Sequence, residues 1–177
     1  MDAEKYIKLF GKAGGLKKVA RAGWLRKGIE LPESVADHSF RMAFMAMVLA
    51  EPLGLDALKL IEMCLAHDLA EAVTGDITPF DGVGPDAKRL LEAAAMAGLM
   101  AGVPGGEALM EIWREYEEGK TPEAAAARRL DKLEMALQAV EYKKEFPEKD
   151  LDEFLSNLEE KCGIELIDGM AEHLKNE

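Results

Sequence analysis

Aromatic residues are scarce in this chain, 6% of 177 residues, and no stretch alternates apolar with polar side chains. An all-β sandwich draws on both, so the two absences argue against one. Cysteine is scarcer still: Cys64 and Cys162 form no CxxC or zinc-ribbon spacing. Cys64 sits in an apolar helical stretch and reads as a buried thiol, which fits a reducing cytosol. Long apolar runs are also missing. The longest, near 42–50 and 93–103, are too short to span a bilayer. The first 30 residues lack the apolar centre of a secretory signal. Basic charge is in deficit, with a formal net charge of −12. A general nucleic-acid binder or anionic-membrane binder needs cationic surface, so both are excluded.

What is present is helix-forming: Ala, Leu, Glu, Lys and Met abound. A chain of this length buries about 70% of its unfolded surface in one compact unit, without disulfides. Charge is uneven. Residues 5–29 carry eight basic side chains and no acidic one. That segment is either a solvated basic helix or a local anion site.

Helical periodicity predicts short helices over 3–10 and 15–22, then one over 34–51 with Val35, Met42, Met45 and Leu49 on its apolar face. Asp56 caps a helix predicted to run to Val73, with Leu58, Ile61, Leu65 and Leu69 inward. Thr74-Gly75-Asp76 breaks it, and a Gly- and Pro-rich loop reaches Asp86. Helices follow over 86–101 and 107–118, then a long one capped by Thr121-Pro122 and reaching Lys144. Two short helices close the chain. No repeat, low-complexity tail or strand is evident. One all-α domain is expected over 1–177, its core over 16–145 with C-terminal helices 150–175 packed on it.

Of three histidines, two keep unusual company. His67-Asp68 is followed by Glu71, one turn beyond His67, so all three can address one groove. His38 lies on the preceding predicted helix, which an antiparallel pairing sets opposite His67. Imidazole and carboxylate suit a divalent first-row metal. Asp131 is the candidate fourth ligand, since an acid beside the inward-facing Leu130, Leu133 and Leu137 is costly unless paired or metal-bound. The alternative is an ion pair with Arg128 or Arg129. His173 reads as a surface residue, and Trp113 and Tyr116 as core or interface.

The segments Arg21-Ala22-Gly23-Trp24, Pro32-Glu33-Ser34-Val35-Ala36-Asp37-His38-Ser39, His67-Asp68-Leu69-Ala70-Glu71, Thr74-Gly75-Asp76-Ile77 and Leu130-Asp131-Lys132-Leu133-Glu134-Met135 resemble those of HD-domain metal-dependent phosphohydrolases. The 5′-deoxynucleotidase branch is the nearer likeness. The resemblance spans about residues 16–145 and implies an all-α HD-domain helical bundle. It implies His38, His67, Asp68 and Asp131 as ligands of one divalent ion (Mn²⁺, Co²⁺, Mg²⁺ or similar), with Glu71 and Asp76 as catalytic acids. It also implies substrate contacts by Trp24 and a nearby arginine. A bacterial branch has Arg immediately before the Trp; here Gly23 stands there and Arg21 lies two residues earlier.

These roles have a physical basis. A divalent ion activates water and polarises a phosphoryl oxygen. Glu71 orients that water or takes its proton, and Asp76, freed by Gly75, turns back to protonate a leaving 5′-oxygen. Alternatively, Asp76 is a turn former. Arg21 or Arg26 clamps the phosphate, while Trp24 either packs on the nucleoside or anchors the core. With His173 remote in sequence, no ligands remain for a second metal. The expectation is a cytoplasmic hydrolase of deoxyribonucleoside 5′-monophosphates. Its rivals are hydrolysis of a nucleoside triphosphate or guanosine polyphosphate, and nucleotide binding without turnover. Apolar helix surface near 90–116 suggests a homodimer.

Overall fold

The computed structural model describes residues 3–156, 158 and 163–175. Cys162 lies outside the described residues. Ten α-helices run in the order α1 (Ala3–Ala13), α2 (Ala22–Arg26), α3 (Val35–Leu53), α4 (Ala57–Ala66), α5 (Glu71–Thr74), α6 (Pro85–Met100), α7 (Gly106–Glu118), α8 (Pro122–Glu145), α9 (Asp152–Ser156) and α10 (Glu165–Leu174) among those residues. Turns of 3₁₀-helix occupy Gly14–Lys18 and Pro79–Asp81. No strand is formed among the described residues, only an isolated antiparallel bridge between Ala20 and Ser34. The fold is all-α, and among the described residues no helix is long and apolar enough to cross a membrane.

Local chemistry fixes the helix that carries His38. Ser34 Oγ accepts from the Asp37 amide at 3.2 Å, and Asp37 Oδ2 accepts from the Ser34 amide at 2.9 Å. This reciprocal cap satisfies two N-terminal donors and starts α3. The far end of α3 runs through Pro52, whose ring costs the helix one internal bond only at its last turn. Gly54 then closes it with φ 66°, a conformation that a side chain would strain. The chain reverses into α4, where Asp56 accepts from the Lys59 amide at 3.1 Å. The hairpin sets the start of α3 beside the end of α4.

The 24-residue α8 is the spine of the bundle. Its alanines at 124, 126, 127, 136 and 139 are buried and let neighbouring helices approach closely. Leu130 and Leu133 join Met42, Leu60, Met63 and Ile167 in the main core, made by α3, α4, α8 and α10. A second cluster gathers Leu16, Val35, Leu69, Met96 and Trp113 beneath α6 and α7. A third surrounds Trp24 with Ile29, Tyr142, Leu151 and Phe154.

The structure departs from the sequence expectations in four places. Residues 15–22 are not one helix: a 3₁₀ turn ends at Lys18, and Val19–Arg21 runs extended before α2. The helix expected to reach Val73 is interrupted at 67–70. There the Trp113 indole donates to the His67 carbonyl at 3.2 Å, and the next amides bond three residues back, as Glu71 N does to Asp68 O at 3.0 Å. Its buried face is also rotated from the predicted one. Leu60, Met63 and Cys64 are inside, while Leu58 and Leu65 are 66% and 51% exposed. Apolar residues surround α4, so periodicity alone does not fix its phase. Finally, residues 90–116 leave Leu90 and Leu91 exposed but bury Met96, Met100, Met110, Trp113 and Tyr116 within this chain. The larger exposed apolar stripe is on α3, at Phe40, Phe44, Met47 and Val48.

Candidate active site

The α3–α4 hairpin brings His38 Nε2 to 3.3 Å from His67 Nε2, both side chains being buried. Asp68 Oδ2 lies 3.0 Å from His67 Nε2 and 3.9 Å from His38 Nε2. Ligand atoms of these three residues lie within 4.8 Å of one another. Asp131, from α8, joins through its Oδ1, 3.2 Å from His38 Nε2. The expected alternative partners of Asp131 are engaged elsewhere. Arg128 donates to the Tyr116 and Glu117 carbonyls, and Arg129 to the Leu158 carbonyl with Asp168 alongside.

Each imidazole is oriented by its second nitrogen. His67 Nδ1 donates to the Cys64 carbonyl at 2.8 Å, which leaves Nε2 as a lone-pair donor. His38 Nδ1 is hydrogen-bonded to Glu134 Oε2. Glu33, His38 and Glu134 also bring ligand atoms within 4.8 Å of one another. That second group is a poorer ion site, because both Glu134 oxygens and one Glu33 oxygen are already used. The Trp24 indole donates to Glu33 at 3.0 Å, and Arg41 Nε to Glu134 at 2.8 Å. The His38–His67–Asp68 group, with two nitrogens and a carboxylate facing one point, suits a divalent cation.

Burial opposes ionisation of Asp68 and Asp131, yet both carboxyls are held below the usual range. For Asp68 the opposing influence is His67, then Arg21; for Asp131 it is the hydrogen bond from His38. Burial and Arg21 both push the His38 imidazole down, but hydrogen bonds to Asp131 and Glu134 outweigh them and raise it to about 10. Glu71 is 2% exposed, and its Oε2 is buried without a hydrogen-bond partner. Burial first, then the charges of Asp68 and Asp76, push its carboxyl up to about 10. Glu71 is therefore protonated at neutral pH when no cation is near.

A cavity of about 560 Å³ opens beside this cluster. Arg21, Asp76, Lys88 and Asp131 line it, with Pro79 and Phe80 as apolar wall. Arg21 reaches Asp68 at 3.3 Å and Asp131 at 4.0 Å, and these carboxylates hold its guanidinium charged despite burial. Asp76 Oδ2 accepts from the Ala22 amide at 2.7 Å, tying the loop after α5 to α2. Gly75 makes the return possible with φ 74° and ψ 168°. Lys88 donates to the Ile77 carbonyl at 2.8 Å.

Two expected substrate contacts line the cavity but are engaged by other side chains. Trp24 is 1% exposed and packs on Phe154 at 4.0 Å and Tyr142 at 5.3 Å between ring centroids. It backs the cavity as a core residue and offers no open face to a base. Arg26 is paired with Glu153 and stacks 4.0 Å over Phe80. A larger residue at Gly23 would press on Phe154, since an added Cβ comes within 3.3 Å of Cε1. An arginine next to Trp24 is thus disfavoured, and Arg21 supplies the guanidinium from the extended segment instead.

Sequence reasoning assigned no role to Glu134, Arg41 or Lys88. Glu134 had a readable signal, being three residues beyond Asp131 and hence on the same face of α8. Arg41 had none, because it reaches its partners through tertiary packing; Lys88 pairs with Glu92 one turn on, but its reach to the Ile77 carbonyl was not readable.

A helical bundle that brings two histidines and an aspartate to one point beside an arginine-lined cavity can hold a metal ion. The chain belongs to the HD domain family, whose model matches residues 13–173. It is 42% identical over 149 residues to the 5′-deoxynucleotidase HDDC2 of Dictyostelium discoideum, covering 79% of this chain and 78% of that one. It is 38% identical over 142 residues to the Homo sapiens 5′-deoxynucleotidase HDDC2, covering 79% and 69%. A conserved hypothetical protein from Pyrococcus furiosus superposes with TM-score 0.84 at 36% identity, over 97% of this chain and 99% of that one. A predicted metal-dependent phosphohydrolase from Magnetospirillum magnetotacticum gives 0.76 at 25% identity, over 98% and 91%.

Proposed function

We propose that this chain is a metal-dependent 5′-deoxynucleotidase. It hydrolyses 2′-deoxyribonucleoside 5′-monophosphates to deoxynucleosides and phosphate. The observation that carries the reading is the convergence of His38, His67 and Asp68 ligand atoms within 4.8 Å, beside a cavity lined by Arg21 and Asp76. The deoxynucleotide preference rests on the names of the relatives.

His38, His67, Asp68 and Asp131 would hold one divalent ion, with Mn²⁺, Co²⁺ and Mg²⁺ all compatible with the donor set. When bound, the ion supplies Lewis-acid polarisation of the phosphoryl oxygen and acidifies a water molecule. Arg21 holds the phosphate with its planar guanidinium. Glu71, whose carboxyl a nearby cation draws down into the basic form, orients the attacking water and accepts its proton. As the P–O5′ bond breaks, the proton that Glu71 took from the water is passed through Asp76 to the departing oxygen. The cavity is lined by three cations, Arg21, Arg26 and Lys88, and Arg26 is already paired with Glu153. This favours a monophosphate over a triphosphate or guanosine polyphosphate, which need more cationic lining.

The same reading includes a cytosolic homodimer. The α3 stripe of Phe40, Phe44, Met47 and Val48 borders an apolar groove of about 1000 Å³ between α3 and α10, with exposed His173 on its rim. Such surfaces are commonly covered by a partner.

The test is an activity matrix on metal-stripped protein, crossing Mn²⁺, Co²⁺ and Mg²⁺ with ribo- and deoxyribonucleoside monophosphates and with triphosphates. Phosphate release from deoxy monophosphates with at least one ion is expected. Failure across the whole matrix, or release of tripolyphosphate or pyrophosphate instead, would overturn the proposal.

A further inference from the structure

We propose that Glu134, braced by Arg41, is a positioning residue that fixes the His38 ring for ion binding. The inference rests on the reading of His38 as a ligand and assigns a role to two residues that neither touch the cavity nor contact substrate.

His38 and Glu134 are both 0% exposed. Glu134 Oε2 takes the hydrogen bond of His38 Nδ1, and Glu134 Oε1 accepts from Arg41 Nε at 2.8 Å. The two other guanidinium nitrogens of Arg41 donate to Gln138 Oε1 and Glu141 Oε2, each at 2.7 Å. Both carboxylate oxygens are therefore used, and the guanidinium is itself clamped along α8. A charged chain thus runs from the half-buried Arg41 through Glu134 to a fully enclosed imidazole. Its only remaining nitrogen, Nε2, faces His67, Asp68 and Asp131.

The two imidazoles are not equivalent. His67 is oriented by a carbonyl one turn away in its own helix, Cys64 O at 2.8 Å. His38 is oriented by a carboxylate from a different helix. A carboxylate partner makes the imidazole a stronger electron donor to an ion than a neutral carbonyl does. It also couples geometry: α8 supplies Asp131 and, three residues later, the group that aims His38. One rigid helix face therefore sets two of the four ligands together. Glu33 lies near but is spent on the Trp24 indole at 3.0 Å, so it is no substitute.

The test uses Co²⁺ binding to metal-stripped protein, followed by calorimetry and by the visible absorption of the bound ion. Glu134→Gln keeps the shape, but one face of its amide must mismatch either His38 or Arg41. A 10- to 100-fold loss of Co²⁺ affinity is expected, within the span seen when outer-shell partners of a ligand are changed. An altered visible spectrum with an unchanged far-ultraviolet circular dichroism spectrum should accompany it. Glu134→Asp, which retains the charge, should recover part of the affinity. At saturating Co²⁺ the Gln variant should regain kcat with KM for nucleotide unmoved. Wild-type affinity and spectrum in Glu134→Gln would overturn the proposal. Should that variant not fold, Arg41→Gln replaces it, with a smaller affinity loss expected and no loss overturning the inference. Wild type that binds no Co²⁺ would instead overturn the ligand assignment itself.

Discussion

His38 Nε2 and His67 Nε2 face each other at 3.3 Å in a buried space, with Asp68 and Asp131 closing the other sides. Two imidazole nitrogens and two carboxylates aimed at one point form a donor set that a divalent cation satisfies.

Metal addition should therefore stabilise the fold. With free Mn²⁺ or Co²⁺ at about one hundred times Kd, linkage gives ~2.7 kcal/mol. For a chain of this size that is a rise of roughly 5–11 °C in Tm. Thermal melts with ion and with chelator check it. His67→Ala should remove the ion-dependent difference, and a persisting shift would refute these ligands.

Glu71→Gln should separate chemistry from binding. Hydrolysis should fall by at least about 10²-fold, the contribution typical of a positioned acid–base group, while Co²⁺ and nucleotide still bind. The same change should stabilise the ion-free protein. A free glutamate titrates near 4.5, whereas Glu71 is pushed up to about 10. Between those values the folded form carries a proton that the unfolded form lacks. Its contribution is thus complete below about pH 4.5 and is lost as pH rises toward 10. Ion-free wild type should lose Tm with rising pH across that window more steeply than Glu71→Gln, and parallel slopes would contradict the assignment.

Arg21→Ala should act on phosphate capture more than on folding of the core. The guanidinium lies 3.3 Å from Asp68 and 4.0 Å from Asp131. Loss of a charge-assisted contact of about 1.5–3 kcal/mol corresponds to a roughly 10- to 150-fold fall in kcat/KM. Steady-state kinetics and phosphate inhibition measure it, and unchanged inhibition by phosphate would exclude Arg21 as the anion contact.

Cys64 should be chemically silent. Its side chain is 0% exposed, and burial pushes the thiol up to about 12. In a Cys162→Ser background at pH 8, Ellman's reagent should find no thiol in folded protein and one after denaturation. Rapid reaction without denaturant would show that the α3–α4 interface opens.

Phe44→Glu should test the α3 stripe. Phe44 is 53% exposed beside the apolar groove. If the stripe is the dimer contact, sedimentation should show wild-type dimer and variant monomer, with Tm of the monomer little changed.

The bundle was legible because its boundaries are written in local chemistry. Ser34, Asp56 and Thr121 cap helices by their own side chains, and Gly54, Gly75 and Gly119 end them with positive φ. The pairing of His38 with His67-Asp68 was legible because hairpin geometry follows from those caps, whereas Asp131 on α8 was indicated by an acid beside an apolar face and by the family resemblance. The break at 67–70 was not legible. It depends on Trp113, 46 residues away, taking a carbonyl from the helix. The enclosure of Trp24 was not legible for a related reason: Phe154 and Tyr142 arrive from distant helices to cover it.

The Ala20–Ser34 bridge ends immediately before two working elements, Arg21 on one side and the α3 segment carrying His38 on the other. Clasped at its neck, the intervening loop cannot slide without dragging both. The spacing between Arg21 and His38 is thereby held by the backbone, whereas Pro79 and Phe80 sit on a separate loop. That outer wall can accordingly be remodelled while the register between Arg21 and His38 stays as it is.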